Sequence, residues 1–413
     1  MSDRTRARRP DVPPIVDPAL ERLVLGRSAS LFADDYSRCR SRIEATVSGR
    51  RILVVGGAGS IGAMTAELLC EFQPAALHVL DVNENGLAEL VRDFRSRGIA
   101  SGDLRALPLD FGSPITERLL RDSPRYDVVM NFAALKHVRS EKDVYSVLQL
   151  IDTNVVKHAR FVGWLARYGH AERYFAVSTD KAATPASLMG ASKRLMEDVV
   201  FASAIAVRTS ARFANVAFSN GSLLQSFLLR LVKRQPLAVP RETRRYFISV
   251  REAGEICLIA ATAAPSDHVV IPRFTPETDL RSLELIAVQT LRHFGFEPAL
   301  YEDVEPAFRR VPDEMAGGRY PLVLTPLDTS GEKPYEEFHG QDEPLVEIGL
   351  PHLLAVGSVN RRPEALSAVV ERLAALISDP TRATEKTDVV AAIGGVIPDF
   401  RHRETGRSLD DRA

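Results

Sequence analysis

Three adjacent polar residues follow an apolar run and offer a hydroxyl, a carboxyl and an amine at one point of the chain: Thr179, Asp180 and Lys181. A carboxyl beside an amine can serve as a general acid and a general base, provided that the carboxyl is protonated and the amine is neutral. On the helix predicted next, Met189 and Lys193 are spaced i, i+4 and share one face. On these residues alone, a surface ion pair between Asp180 and Lys181 stays open as the alternative.

A glycine-rich segment, GGAGSIG, lies between an apolar run and a helical pattern. Gly56, Gly59 and Gly62 would form a tight turn, and their missing β-carbons would let the backbone approach a phosphate closely. The helix that follows offers free N–H groups and the positive end of its dipole. Together with Ser60 and Ile61, these glycines predict a site for the pyrophosphate of a dinucleotide.

The residue at the end of the second predicted strand, Asp81, indicates which dinucleotide binds. A carboxylate there would accept hydrogen bonds from the ribose hydroxyls and repel a 2′-phosphate, so NAD is favoured over NADP. The alternative is that Asp81 caps the helix beginning near Asn83. Asp110 would suit the adenine edge, and Ala133 with Ala134 would let the backbone approach the cofactor.

Alternating apolar runs and helical patterns from Arg51 onward predict an α/β protein with a doubly wound parallel sheet of Rossmann type. The carboxyl ends of parallel strands meet at one edge, so the glycine segment and Thr179–Lys181 are expected to face one cleft. Amphipathic stretches over Asn85–Arg97 and Val147–Tyr168 predict helices between strands. The predicted strands are Arg51–Val55, Ala76–Leu80, Leu104–Leu109, Val128–Phe132, Tyr174–Ser178 and Arg212–Ala217.

The chain divides into four predicted parts. Residues 1–48 form an N-terminal arm with a helical extension, and 49–235 form the NAD-binding domain. A smaller substrate-binding region with segments that return to the sheet covers 236–359, and a helical segment with a polar tail covers 360–413. The N-terminal extension is either an extra layer on the nucleotide-binding fold or an oligomer contact.

The composition argues against several classes of function. A net charge of −1, from 53 basic and 54 acidic residues, gives no electrostatic reason to expect nucleic acid or an anionic membrane as a partner. Cys39, Cys70 and Cys257 form no CxxC pair, and the histidines are scattered, so no disulfide framework and no metal site are expected. Without a signal-peptide core or about 18 uninterrupted apolar residues, the protein is expected to be soluble and cytoplasmic.

Several long segments resemble the UDP-N-acetylglucosamine 4,6-dehydratases of the polysaccharide-biosynthesis group, which are extended short-chain dehydrogenases/reductases. They are GGAGSIG, AALKHVRSEKD, STDKAATPASLMGASKR and RFANVAFSNGSLLQSF, continued by RRYFISVREAGE and TSGEKPYEEF over roughly residues 50–340. The membrane-spanning region of some relatives is absent, so the soluble branch is the nearer match. Most short-chain dehydrogenases carry a proton-accepting tyrosine where this chain has Met189, whose thioether cannot accept a proton.

The resemblance implies NAD as cofactor, a nucleotide sugar such as UDP-N-acetylglucosamine as substrate, and a set of catalytic roles. Hydride leaves C4 of the sugar, and the resulting 4-keto group acidifies the C5 proton. Neutral Lys181 removes that proton, protonated Asp180 protonates the departing C6 hydroxyl, and hydride returns to C6. Thr179 would hydrogen-bond the C4 oxygen and help shuttle its proton, while Lys193 would hold the nicotinamide ribose. Met189 occupies the tyrosine position of this catalytic set.

Candidates for substrate binding are less specific. Lys136 and His137 follow the fourth predicted strand and could reach the sugar or its phosphates, although a core or salt-bridged role is equally open. Asn215, Ser222 and Arg245 lie in segments that approach the nucleotide diphosphate in the resembled family. A guanidinium such as that of Arg245 binds phosphate through two hydrogen bonds.

Two other functions stay open. A nucleotide-sugar 4-epimerase shares the fold and the cofactor but needs no acid–base pair at C5 and C6, so Asp180 and Lys181 argue against it. A non-catalytic dinucleotide-binding scaffold would have lost its tyrosine but has no reason to keep the acid–base pair. The resemblance also favours a homo-oligomer, a dimer or larger.

Overall fold

The computed structural model of the chain describes residues 16–99, 102–136, 141–326, 335, 337–357, 363–397 and 400–402. The strands in chain order are β1 Arg51–Val55, β2 Ala76–Leu80, β3 Asp103–Leu107, β4 Val128–Asn131, β5 Arg173–Val177, β6 Val207–Ala211, β7 Asn215–Val216, β8 Leu237–Pro240, β9 Arg244–Ile248, β10 His268–Pro272, β11 Leu280–Ser282, β12 Glu297–Tyr301, β13 Arg319–Thr325, β14 Leu345–Val346 and β15 Leu353–Gly357. The helices are α1 Pro18–Leu25, α2 Ala33–Val47, α3 Ser60–Cys70, α4 Glu84–Ser96, α5 Pro114–Asp122, α6 Val144–Ile151, α7 Lys157–Arg167, α8 Leu188–Phe201, α9 Leu223–Lys233, α10 Val250–Thr262, α11 Pro276–Asp279, α12 Leu283–His293, α13 Val304–Ala316, α14 Pro363–Ser378 and α15 Lys386–Gly394.

The centre of the molecule is a nine-stranded sheet with the order β14-β15-β10-β6-β5-β4-β1-β2-β3. Strands β3 to β10 in this order are parallel, and β15 and β14 add an antiparallel edge. The sheet grows in opposite directions from β1, which pairs with β2 on one side and β4 on the other. Such a switch point opens a ligand-binding crevice at the carboxyl ends of the strands. The predicted Rossmann-type sheet is confirmed.

The first strand shows why the sheet forms here. Its apolar side chains alternate between two cores: Ile52 and Val54 pack on one face, and Leu53 and Val55 on the other. A strand covered on both faces by helices needs a continuous apolar run rather than an apolar–polar alternation. The sequence RILVV meets that need and ends at the glycine turn.

The predicted sixth strand, Arg212–Ala217, is wrong. The strand of the central sheet is β6, Val207–Ala211, and only Asn215–Val216 of the predicted range is extended, in a separate sheet ordered β11-β9-β7. The sequence VRTSA looks too polar for a central strand, but Arg208 pairs with Asp267 and Ser210 has a partner inside the fold, whereas the buried Thr209 hydroxyl has no partner among the described residues. The Ser210 hydroxyl donates to the Ala176 carbonyl at 2.7 Å.

The N-terminal extension forms an extra layer on the fold, one of its two predicted roles. Helix α2 packs against α10, and its Cys39, Ile43 and Val47 are fully buried in the main core. Just before it, Arg27 binds both carboxylate oxygens of Glu252 at 2.9 and 2.8 Å. The smaller region contains the β12-β13-β8 sheet, while β10, β14 and β15 return to the central sheet. The exact domain limits stay a prediction.

The C-terminal helices cover the helices nearest the candidate site. Apolar side chains of α14 and α15, together with Phe400, share one cluster with α6 and α8. Helix α14 was predicted, whereas α15 was not. Within the described ranges, no helix is both long and apolar enough to cross a membrane.

Candidate active site

The glycine turn between β1 and α3 leaves space where a phosphate is expected. Gly56 has a φ of +74°, and a β-carbon there would lie 2.5 Å from the Ala133 nitrogen. A β-carbon on Gly62 would lie 2.4 Å from the Gly56 carbonyl oxygen, so both positions require glycine. At Gly59, by contrast, a β-carbon would approach nothing closer than 3.4 Å. The turn is therefore closely packed at Gly56 and Gly62 and open at Gly59. The first N–H groups of α3 begin next to this open side, at Ser60.

Asp81 holds the glycine turn in place. One carboxylate oxygen accepts from the Ala58 N–H at 2.9 Å, and the other accepts from the Asn83 N–H at 2.9 Å. The N-cap of α4 is Asn83, whose side chain accepts from Gly86, so the helix-capping alternative for Asp81 is not what the structure shows. Binding of the ribose hydroxyls by Asp81 stays a prediction.

The candidate adenine-edge residue, Asp110, carries an ion pair. Its carboxylate lies 2.6 Å from the Lys157 ammonium and also accepts from the Gly112 N–H at 2.9 Å. Lys157 additionally lies 3.4 Å from Asp152. A role for Asp110 toward adenine stays a prediction, and the side chain would have to serve it while paired with Lys157.

A buried polar network fixes the loop after β4. The Asn131 side chain accepts from the Ala133 N–H at 2.9 Å and donates to the Tyr174 hydroxyl at 3.1 Å. That hydroxyl lies 2.9 Å from the His158 imidazole. Burial, and secondarily the charge of Lys193, lower the pKa of His158 to about 3, so the ring is neutral at physiological pH. These hydrogen bonds fix the position of the loop that carries Ala133 and Ala134.

The predicted acid–base residues lie together at the carboxyl end of β5. Asp180 Oδ1 accepts from the Thr179 hydroxyl at 2.7 Å, the Lys181 N–H at 2.9 Å and the Lys181 ammonium at 3.1 Å. The side chain of Asp180 is 4% exposed and that of Lys181 25% exposed. This is a largely buried pair at the edge where the cleft opens, and the surface-pair alternative does not describe it.

Helix α8 places Met189 and Lys193 in the interior. Ser187 caps the helix by accepting from the Gly190 N–H at 3.1 Å. Met189 belongs to the apolar cluster shared with the C-terminal helices. The Lys193 ammonium contacts the Met196 sulfur at 3.3 Å. Burial lowers the pKa of Lys193 to about 8, against the opposing effect of Glu197.

A cluster of buried charges anchors the next turn of α8. Arg212 binds Glu197 through two hydrogen bonds of 2.8 and 2.6 Å. On its other side, Arg212 lies 2.6 Å from Glu343, which also pairs with Arg194. Burial would raise the pKa of Glu343, but its contacts with Arg212 and Arg194 lower it to about 2. The cluster ties the helix to β6 and to the segment after β13.

The four substrate candidates within the described residues lie on four different segments. The Lys136 ammonium donates to the Asn220 carbonyl at 2.6 Å. Ser222 is the N-cap of α9. Asn215 lies on β7, where it pairs with Phe247 of β9, the strand that also carries Arg245. His137 lies outside the described residues.

Sequence reasoning assigned no role to two side chains that brace α8. Glu141 accepts from the Met189 N–H at 3.0 Å, and its carbonyl accepts from Lys386 at 2.8 Å. Asn154, in a π-helical turn between α6 and α7, accepts from the Leu135 N–H and donates to Ser192, both at 2.9 Å. The only sequence signal was that Glu141 lies in the AALKHVRSEKD segment.

Most of the chain is similar to known proteins. A family model described as polysaccharide biosynthesis protein matches residues 52–353. The chain is 31% identical over 266 residues to an uncharacterized membrane protein of Methanocaldococcus jannaschii, covering 62% of this chain and 75% of that protein. It is 28% identical over 259 residues to the UDP-N-acetylglucosamine 4,6-dehydratase (inverting) of Campylobacter jejuni, covering 60% and 73%.

Other relatives are matched over a smaller part of their length. The probable polysaccharide biosynthesis protein EpsC of Bacillus subtilis is 27% identical over 242 residues, and the match covers 56% of this chain but 39% of EpsC.

Among solved structures, Pen from Bacillus thuringiensis superimposes with a TM-score of 0.62 at 20% identity, covering 75% of this chain and 88% of Pen. At that identity the superposition supports the fold alone.

Proposed function

The chain belongs to the polysaccharide biosynthesis protein family of extended short-chain dehydrogenases/reductases, and from that premise we propose that it is an NAD-dependent nucleotide-sugar 4,6-dehydratase. In its most specific form, the proposal is conversion of UDP-N-acetylglucosamine to a UDP-4-keto-6-deoxy-N-acetylhexosamine, with or without inversion at C5. The Campylobacter jejuni relative bears the name of this activity. The family membership confirms the resemblance found in the sequence.

The observation that carries the proposal is the buried contact between Asp180 and Lys181. Their charged form and their neutral form have the same net charge, and one proton moved across 3.1 Å converts one into the other. The neutral form is a carboxylic acid beside a free amine, which is the pair that removal of a C5 proton and departure of a C6 hydroxyl require. Burial reduces the advantage that water gives to the charged form.

The residues around the glycine turn fit a dinucleotide. The space above Gly59, the free N–H groups of α3 from Ser60 and Ile61, and the carboxylate of Asp81 are the groups that would hold it. Lys193 would hold the nicotinamide ribose. When bound, NAD supplies a hydride acceptor and donor, so that oxidation at C4 and reduction at C6 leave it unchanged overall.

The side chains of this chain account for the proton transfers. The Thr179 hydroxyl hydrogen-bonds the C4 oxygen of the sugar and helps shuttle its proton to solvent as C4 is oxidised. The neutral amine of Lys181 takes the C5 proton, and the carboxylic acid of Asp180 protonates the C6 oxygen, which leaves as water. The Lys181 ammonium then returns a proton to C5 as C6 is reduced, and Asp180 regains its proton from solvent. Met189 takes no part in proton transfer, because it is packed among apolar side chains and its sulfur is not a base.

The nucleotide diphosphate would be held where β7, β9 and α9 meet. Ser222 at the start of α9 and Asn215 on β7 offer neutral hydrogen-bonding groups. Arg245 on β9 and Lys136 after β4 offer positive charge. Because the protein as a whole carries a net charge of −1, local cations of this kind are needed to attract an anionic substrate.

Product analysis tests the proposal. Purified protein loaded with NAD and incubated with UDP-N-acetylglucosamine should release a product that has lost one water, identified by mass spectrometry and NMR. A C4 stereoisomer of unchanged mass would show the 4-epimerase instead. Binding of NAD without turnover of any nucleotide sugar would show a non-catalytic scaffold. Either result would reject the dehydratase.

A further inference from the structure

The backbone of one residue, Asn220, connects the two rims of the cleft. The Asn220 N–H donates to the Ser60 hydroxyl at 2.9 Å, and the Asn220 carbonyl accepts from the Lys136 ammonium at 2.6 Å. These contacts join positions 160 and 84 residues apart in the chain. Ser60 begins α3 directly after the glycine turn, whereas Lys136 lies in the loop after β4. The connecting residue belongs to neither element.

A single side chain shapes the turn that makes this connection. The Gln225 amide oxygen accepts from the Gly221 N–H at 2.6 Å, and its amide nitrogen donates to the Asn220 side chain at 3.2 Å. Gly221 has a φ of +74°, a conformation that favours glycine. Gln225 is itself fixed in the first turn of α9, where its N–H donates to Ser222 at 3.2 Å.

The position of the turn matters because β1 and β4 are neighbours in the sheet. The gap between their carboxyl ends is the crevice in which the pyrophosphate of a dinucleotide is expected. The Asn220 N–H is fixed at the β1 side of this gap, and the Asn220 carbonyl at the β4 side. The backbone of Asn220 therefore joins the two sides of the crevice.

We infer that Asn220 and Gly221 form a strap that retains the dinucleotide, and that Gln225 is the positioning residue that holds this strap in place. The inference rests on the proposed function for the identity of the ligand. In a reaction that begins and ends with the same oxidation state of the cofactor, exchange of the dinucleotide between turnovers serves no purpose. A strap fastened at both rims slows that exchange without contributing to the chemical steps.

The rate of NADH release tests the inference without any sugar present. NADH-loaded protein is mixed with excess NAD, and the loss of NADH fluorescence is followed in a stopped-flow instrument. The Gln225→Leu variant removes both side-chain hydrogen bonds to the strap and should release NADH about tenfold faster, the effect of losing one to two net hydrogen bonds. The control is Gln149→Leu on α6, where the exposed amide donates to Thr153. Release from this control should match the wild type.

A double-mutant cycle separates the strap from direct contact with the cofactor. Ser60→Ala removes the acceptor of the Asn220 N–H, and its effect on release should largely disappear in the Gln225→Leu background if both act through the strap. Additive effects, or an unchanged rate in a stably folded Gln225→Leu protein, would overturn the inference. A protein that retains NADH through the strap but dehydrates no sugar would contradict only the proposed function.

Discussion

The Lys181 ammonium lies 3.1 Å from Asp180 Oδ1, the same oxygen that receives the Thr179 hydroxyl at 2.7 Å. That oxygen accepts from three donors, because the Lys181 N–H also donates to it at 2.9 Å. The proposed mechanism requires the proton of Lys181 to move to Asp180 before Lys181 can remove the C5 proton. The 3.1 Å contact is the path that this transfer would take.

The first prediction concerns Met189. Met189→Leu should retain most of the turnover and change the free energy of unfolding by less than about 1.5 kcal/mol, because it preserves volume in an apolar cluster. Met189→Tyr should destabilise the fold by about 1–3 kcal/mol and should not raise kcat. Urea unfolding and steady-state kinetics measure both. A large gain in kcat in Met189→Tyr, or a loss of turnover in Met189→Leu, would contradict the packing role of Met189.

The second prediction concerns the choice of cofactor. Asp81→Asn should weaken NAD binding and strengthen NADP binding, because an amide does not repel a 2′-phosphate. The ratio of the two Kd values should shift by about tenfold, or about 1.4 kcal/mol. Asp93→Asn, on the exposed side of α4, is the control and should leave the ratio unchanged. If Asp81→Asn also leaves it unchanged, Asp81 serves only the glycine turn.

The third prediction is a pH dependence. Because burial lowers the pKa of Lys193 to about 8, NAD affinity should fall as pH rises through that value and the ammonium is lost. Lys193→Met should bind NAD weakly at every pH. Stability should change in the opposite direction: from about pH 8 to the ordinary value of 10.5, the unfolded state still holds a proton that the folded state has released. Folding therefore becomes more favourable across this range. Titration calorimetry and unfolding curves would detect each trend.

The fourth prediction concerns the charge cluster behind α8. Arg212→Met leaves Glu197 and Glu343 buried without their shared partner and should cost about 3–5 kcal/mol in the free energy of unfolding. Arg38→Met is the control, because its pair with Asp34 is more than half exposed and is worth at most about 1 kcal/mol. If both variants lose a similar amount of free energy of unfolding in urea, the buried cluster stabilises the fold no more than an exposed ion pair does.

Much of the fold could be predicted because its signals are local. The apolar runs of β1 and β2 are bounded by a glycine turn and by Asp81, and their predicted limits match the structure. Strand β6 could not be recognised in this way. Its Ser210 hydroxyl is accommodated in the sheet because the fold supplies the Ala176 carbonyl as a partner, which the sequence does not reveal.

The same distinction holds for the site. The glycine turn and Thr179–Lys181 could be predicted from residues adjacent in the chain. The bridge from Asn220 to Ser60, and the contact between Glu141 and Met189, could not, because their partners are 160 and 48 residues apart. Such contacts depend on how loops meet over the sheet, which composition and periodicity do not encode.

The most direct test of the account is the fate of the C5 hydrogen. In D₂O, the wild type should convert UDP-N-acetylglucosamine to a dehydrated product that carries deuterium at C5. Lys181→Ala should form this product at least about 100-fold more slowly, while Lys233→Ala, at the exposed end of α9, should match the wild type. Deuterium incorporation and water loss at an undiminished rate in Lys181→Ala would show that another group is the base. The central claim would then be wrong.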